Sequence, residues 1–233
     1  MSPAWPGPHG YVPIVRPRIG AAPPRPDPSL LARLRGVDMA DVSDVVGRLY
    51  TMNPGIRPLY EPIPSTVGTA LTVKAYPGDN LAVHGGLGLA GEGDVLVVDW
   101  LGYHEGCGSG ARSLAAPFAR GLAGVVVDGG WRDVAELRTR GFPVFGRSEA
   151  AFSPAKREPG EINVPVSCGG VVVEPGDVVV AGQGGVAVVP RRHLIDVVNA
   201  VADRAPAETD PPDPEAGSRR HEEAFGTRLG QRG

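Results

Sequence analysis

Cysteine is scarce in this chain: only Cys107 and Cys168 occur, in separate segments, without the paired spacing of a zinc site or a disulfide framework. Both read as ordinary small residues in a reducing cytosol. Long hydrophobic runs are missing as well. None approaches the ~18 residues of a membrane helix, and the opening MSPAWPGPHGYVPIVRPR has no signal-peptide apolar core. A cytoplasmic protein without a membrane partner is expected. Nor does one sign of charge dominate, since 23 Lys and Arg stand against 26 Asp and Glu for a formal net charge of −3. No basic cluster supplies the electrostatic footprint of a nucleic-acid binder, which excludes nucleic acid from the expected partners.

What the chain does have is glycine and proline, 34 and 25 in 233 residues. Prolines crowd residues 1–28 and the stretch APAETDPPDPEAGSRR, whereas most glycines punctuate valine-rich segments in the middle. The expectation is a proline-rich N-terminal arm (1–28), a body (29–204) and a C-terminal arm (205–233). With 42% hydrophobic residues the body can bury one substantial core.

Within the body, PSLLARLRGV and MADVSDVVGRLY have the three-to-four apolar spacing of amphipathic helices, the second carrying Ser43 and Asp44 on its polar side. TALTVKAYPG reads as a strand ending at Pro77-Gly78, NLAVHGGLGLA as a short helix, and GDVLVVDW as a buried strand. LGYHEGCGSG reads as a loop, ARSLAAPFARG as a helix closed by Gly121, AGVVVDGG as a second central strand, DVAELRTRG as a helix and FPVFGR as a third strand. The block INVPVSCGGVVVEPGDVVVAGQGGVAVVP alternates valine runs with Gly or Pro turns, an antiparallel signature, and RRHLIDVVNAVADRA closes as a helix. Strands alternating with helices, then a β-rich block, predict a three-layer α/β body with a mixed sheet.

The stretch VVVDGGWRDVAEL carries the sharpest chemical signal. Val125–Val127 form a β-branched strand run, Gly129-Gly130 reads as a break, and Arg132 and Asp133 fall at the strand's exit. An acid at the start of the following helix suits the helix dipole. A fixed cation beside a fixed anion also suits gripping a carboxylate and a metal ion. Trp131, directly before the pair, either shapes a pocket wall or packs.

VSDVVGRL, MNPGIRPL, GDNLAVH, GDVLVVD, ARGLAGVVVDGGWRD, GFPVFGR, INVPVSCGGVVVEPGDVVVA and GVAVVPR, in this order from Val42 to Arg191, resemble the successive motifs of the metal-dependent 4-hydroxy-4-methyl-2-oxoglutarate/4-carboxy-4-hydroxy-2-oxoadipate aldolases. The regulator of ribonuclease E activity shares their fold. The resemblance implies a swivelling β/β/α fold, homotrimers or homohexamers with interface active sites, and a 2-oxo acid substrate. The implied reaction is retro-aldol cleavage, with oxaloacetate decarboxylation alongside, through a pyruvate enolate. Asp133 would hold Mg²⁺ or Mn²⁺, hard cations suited to oxygen ligands, and Arg132 would grip the carboxylate or keto oxygen as a charged fork. Backbone N–H groups at Gly110, Ala111, Arg112 and Ser113 would bind the pyruvate carboxylate.

The chain departs from the family wording at three places. Ser109-Gly110-Ala111 replaces a Trp-Gly-acid loop, so a carboxylate that helps to hold metal-bound water is missing, and Arg112 stands where an apolar residue is usual. His104 and Glu105 just upstream are candidate substitutes. Gly182, Gln183 and Gly184 replace a more acidic turn. For the acid that the family draws from a neighbouring subunit's C-terminal helix, HEEAFGTRL offers Glu222 and Glu223 as candidates, with the alignment left open by the proline-rich insertion before them. Asn80 and His84 match the family wording as pocket-lining residues, Asp99 either caps or orients the loop after its strand, and Lys156 is a loop cation with a possible substrate contact.

Overall fold

A computed structural model describes residues 17–204. In chain order these form β1 (Arg18–Ile19), α1 (Pro28–Leu34), α2 (Met39–Val46), β2 (Arg57–Pro58), β3 (Thr66–Lys74), α3 (Leu81–Leu89) and β4 (Asp94–Cys107). Next come α4 (Ala111–Ala119), β5 (Gly124–Trp131), α5 (Val134–Arg140), β6 (Val144–Gly146), β7 (Ser148–Glu149), β8 (Glu161–Ile162), β9 (Val166–Cys168) and β10 (Val171–Val173). Two further strands, β11 (Val178–Gly182) and β12 (Gly185–Val189), precede a 3-10 turn at Arg191–His193 and α6 (Leu194–Arg204). The helix starts follow from local chemistry: Asp27 and Asp38 accept hydrogen bonds from Ser29 N and Ala40 N, each 2.8 Å, and so cap α1 and α2.

The strands build a ten-stranded mixed sheet whose centre, β3-β4-β5-β6, is parallel throughout. Antiparallel β11 extends it beyond the start of β3 and carries β12, while the β9–β10 hairpin packs against β4. Valines dominate the central strands because those strands are buried on both faces; Val95, Val97, Val98, Val125, Val126 and Val127 are fully inaccessible. Helices α3, α4 and α5 pack side by side, and α1, α2 and α6 bury a second apolar cluster against β11, β12 and the start of β3. This is the expected three-layer β/β/α arrangement with a mixed sheet. Among the described residues no helix is long and apolar enough to cross a membrane.

Two local expectations are corrected. Gly129-Gly130 does not break β5: both glycines lie within the strand and are buried. A Cβ at Gly129 would meet Tyr103 O at 2.7 Å, and one at Gly130 would meet Gly106 O at 2.4 Å, so their lack of a side chain is what lets β4 approach. For the same reason LGYHEGC is not a free loop. It prolongs β4 to 14 residues through two register shifts, pairing Tyr103 with Gly129 and Cys107 with Gly130. Of the arms, residues 1–16 and 205–233 lie outside the described residues; within 17–28, Arg18 and Ile19 pair in parallel with Glu161 and Ile162, and Arg25 meets Asp94 at 2.8 Å.

Candidate active site

The four parallel strands deliver their following segments to one edge of the sheet. Asn80 follows β3, the Gly108–Gly110 loop follows β4, Arg132 and Asp133 follow β5, and the segment 147–158 follows β6. The carboxyl edge of a parallel sheet is where such folds place ligands, and it gathers the predicted residues.

Arg132 and Asp133 leave β5 together. Asp133 occupies the N-cap position of α5 with φ 62° and ψ 36°, a left-handed conformation, and its side chain makes no capping bond. Glu149 does that work instead, accepting from Val134 N at 3.3 Å. The expectation that Asp133 serves the first turn of its own helix is therefore corrected: the backbone turns the carboxylate away. Its Oδ2 accepts from Ala111 N at 3.1 Å and lies 3.8 Å from Arg132 Nε, while Oδ1 has no partner among the described residues. Non-glycine residues rarely adopt this backbone, and where they do the surroundings sustain a local strain of order 1–3 kcal/mol.

The loop between β4 and α4 is pinned at successive points. Asn80 Nδ2 donates to Gly108 O at 2.9 Å, Gly108 N to Gly130 O at 2.8 Å, and Arg132 N to Ser109 O at 3.1 Å. Asp133 holds Ala111 N as above. Gly110 is required by contact, since a Cβ there would fall 2.2 Å from Asp133 Oδ2 and 3.0 Å from Arg132 Cγ and Nε. Gly110, Ala111, Arg112 and Ser113 thus lie at the site, but not as four free donors. Ala111 N is engaged by Asp133 and Ser113 N by Gly110 O at 3.1 Å. The N–H of Arg112, in the first turn of α4, has no intrahelical acceptor.

Arg132 shows both ends of its chemistry. Nη1 donates to Ser153 Oγ at 3.3 Å, and Nε is buried, facing Asp133 Oδ2 at 3.8 Å but making no hydrogen bond among the described residues. Beneath it lies the fully buried Cys107, whose thiol burial pushes up in pKa against a downward pull from the Arg132 guanidinium. Trp131 is fully buried and packs in the core.

Asn80 and His84 are held together at 3.2 Å, Nδ2 to Nε2, on the first turn of α3. His84 is half-buried, and burial followed by the charge of Lys156 lowers its pKa. Lys156 and Glu105 are exposed. His104 is exposed too, its Nδ1 3.0 Å from Gly102 O and its own carbonyl accepting from Ser148 Oγ at 2.7 Å, an arrangement that locks the β4 extension. Asp99 is buried and accepts from Leu101 N and Ser167 N, both 3.1 Å, so it ties β4 to β9. The Gly182–Gly185 turn closes β11 onto β12 despite its lost charge. Glu222 and Glu223 lie outside the described residues. Sequence reasoning missed Ser153 and Glu149: both sit in an aperiodic stretch whose residue types carry no signal until the chain folds back on β5.

No group of three His, Cys, Asp or Glu side chains able to cage a metal occurs among the described residues. The chemistry present nevertheless fits a small hard cation, because Mg²⁺ keeps several waters and takes one or two carboxylates plus substrate oxygens. Asp133 Oδ1 would serve as such a carboxylate ligand. His and Cys ligands that would favour zinc are not assembled there.

The mixed sheet and its covering helices define an α/β protein whose carboxyl edge brings Arg132 and Asp133 together. The chain belongs to the RraA-like family: the family model described as Aldolase/RraA matches residues 39–188. A relative from Halalkalibacterium halodurans, named "Putative 4-hydroxy-4-methyl-2-oxoglutarate aldolase", is 37% identical over 161 residues, 69% of this chain and 76% of that one. One of the same name from Alkalilimnicola ehrlichii is 35% identical, covering 68% of this chain and 95% of its own. Among solved structures, Streptomyces coelicolor RraAS2, described as an unusual member of the RNase ES inhibitor RraA protein family, superposes with a TM-score of 0.70 at 30% identity, over 80% of this chain and 96% of that one.

Proposed function

We propose that the protein is a divalent-metal-dependent carbon–carbon lyase acting on a 2-oxo acid, by retro-aldol cleavage of a 4-hydroxy-2-oxo acid, decarboxylation of oxaloacetate, or both. One observation carries this reading: the left-handed backbone at Asp133 and the capping of α5 by Glu149 release the Asp133 carboxylate, leaving Oδ1 free beside the Arg132 guanidinium, whose Nε lies 3.8 Å from Oδ2. Aldolase names among the relatives support the reaction class.

Both reactions place negative charge on the former keto oxygen, so fixed positive charge there stabilises the transition state more than the ground state. Asp133 would hold Mg²⁺ or Mn²⁺, which would supply Lewis-acid polarisation of that oxygen. Arg132, with 44% of its side chain exposed, orients the carboxylate–keto unit through its guanidinium. Asp133 Oδ2, by holding Ala111 N, couples the loop to the same carboxylate, so one residue sets both the metal ligand and the loop. The active assembly is a homotrimer or homohexamer, in which a neighbour completes the site's exposed side, and the protein works in the cytoplasm.

A second reading, a non-catalytic binding or regulatory protein, is favoured by one specific departure. Ala111 stands where the aldolases carry an acid, a loss of the size that costs about 10–100-fold in metal affinity or activity, and RraAS2 is described by inhibition, not catalysis. A shifted chemistry on a specialised metabolite would follow from the same departure. The test is Mg²⁺-dependent pyruvate release from oxaloacetate and from 4-hydroxy-4-methyl-2-oxoglutarate, with Asp133→Ala protein as the control for metal-only decarboxylation. Release faster than the control supports the lyase. Equal rates move the assignment to the binding role or to other substrates.

A further inference from the structure

We propose that Arg147, Arg48 and Asn53 form a separate ligand site, an oxyanion pocket beside the turn of the β9–β10 hairpin, which takes a small metabolite carrying a carboxylate or a phosphate group. The inference is independent of the lyase reading and uses none of its residues.

The site is founded on β5. Asp128, itself buried, accepts from Gly169 N of the hairpin turn at 2.8 Å through Oδ2 and from Arg147 Nε through Oδ1. Arg147 N in turn donates to Gly129 O at 2.8 Å, so the arginine is held at both its backbone and its Nε. Asp128 stands four residues before Arg132, about 13 Å along the strand, which separates this guanidinium from the pair at the carboxyl edge. With Nε fixed, Nη1 and Nη2 remain. Neither has a hydrogen-bond partner among the described residues and neither is sealed from solvent, in a side chain that is 27% exposed. A guanidinium preorganised through Nε presents its two remaining nitrogens as a fork matched to two oxygens of one anion.

Glycine keeps the space around the fork. A Cβ on Gly55 would lie 2.5 Å from Arg147 Nη1 and 2.9 Å from Asn53 Oδ1, and one on Gly102 3.6 Å from Arg147 Nε. Asn53 also lines a cavity of about 650 Å³ together with Ser43, Arg48, Thr51 and Gly170, a size that suits a small molecule. Hydrogen-bond accounting sets what that molecule must carry. Thr51 Oγ1 donates to Gly47 O at 3.1 Å, so the 2.8 Å contact between the two hydroxyls is donated by Ser43 Oγ, and both hydroxyl protons are spent. Asp44, the acid on the wall, is paired with Arg204 Nη2 at 2.7 Å, and Asn53 Oδ1 accepts from Gly55 N at 3.0 Å. The unspent groups are donors and positive charge: both Nη groups of Arg147, the exposed Arg48 guanidinium and Asn53 Nδ2, none with a partner among the described residues. Such a set recognises an oxyanion.

The test titrates full-length protein, without divalent metal, with L-malate and with glycerol 3-phosphate, followed by calorimetry and by the ¹H–¹⁵N signals of the arginine side chains. Saturable binding of at least one of the two, with the Arg147 signals shifting, is the expected result, and the one that binds tells carboxylate from phosphate. Gly55→Ala keeps every charge but fills the space beside Nη1, and Arg48→Gln removes an exposed cation without touching the buried Asp128–Arg147 pair. Each should weaken binding about 10-fold, the scale of a lost charged hydrogen bond, with thermal unfolding reporting that the variants are folded. Arg132→Gln should bind as wild type does. Binding that is lost in Arg132→Gln but kept in Gly55→Ala and Arg48→Gln would put the anion at the carboxyl edge and overturn the site, as would the absence of saturable binding for both compounds. Pyruvate release is not measured in this test, so either failure leaves the lyase reading untouched.

Discussion

Replacing Gly110 by alanine isolates the contact that couples loop and carboxylate. Gly110 has φ −144° and ψ −179°, extended values open to any residue, so the substitution introduces no backbone strain. The added Cβ would start 2.2 Å from Asp133 Oδ2, which must withdraw by about 1 Å to reach ordinary contact. The Ala111 N to Oδ2 bond, 3.1 Å, does not survive such a shift. A hydrogen bond to a charged acceptor is worth about 1.5–3 kcal/mol, but the Asp133 side chain is 40% exposed and water replaces part of it, leaving about 1 kcal/mol. For a domain of this size that lowers Tm by about 2–4 °C. Displacing the proposed metal ligand has a larger effect on function, about 10–100-fold in Mg²⁺ affinity or pyruvate release. Thermal unfolding, Mg²⁺ titration and pyruvate release measure the three quantities. Gly88→Ala in α3 is the control: a Cβ there meets nothing within 4 Å, and helical Gly to Ala should stabilise by roughly 0.5–1 kcal/mol. Wild-type Tm, Mg²⁺ affinity and turnover in Gly110→Ala would refute the coupling.

Asp133→Asn keeps a residue type tolerant of the left-handed backbone while removing the charge; Mg²⁺-dependent turnover should drop at least about 100-fold with Tm within about 4 °C of wild type. A fall in Tm well beyond that would assign Asp133 a mainly structural role. Glu149→Ala uncaps Val134 and should cost about 0.5–1 kcal/mol in urea unfolding, with m unchanged. Because His84 has a folded pKa below its ordinary 6.5, the unfolded chain binds more protons in the window just below that pH, so stability falls on acidification there. His84→Gln should flatten that slope in pH-dependent unfolding, and an unchanged slope would place the titrating group elsewhere. Arg112→Leu should raise KM for dicarboxylate substrates with little change in Tm, as expected of an exposed cation at the loop; an unaffected KM would leave Arg112 as a solvated helix residue.

By itself the sequence determined the elements and the class. Valine runs between Gly and Pro turns specify buried strands, Asp27 and Asp38 start helices wherever those strands go, and the order of the pieces forces parallel pairing through right-handed crossovers. It also singled out Arg132 and Asp133, because side-by-side opposite charges at a strand exit are visible without coordinates. Three things were decided only by tertiary structure. Gly129 and Gly130, written like a break, became strand because the β4 backbone approaches within the space a Cβ would fill. Asp133, written like a helix cap, yielded that role to Glu149 and took up Ala111, 22 residues earlier in the chain. Ser153 and Ala155, in a stretch without periodicity, reached Arg132 and Asn80 because the segment after β6 is fastened across the edges of β3, β4 and β5. Local propensity acts over a few residues, whereas these contacts join segments brought together only when the sheet forms.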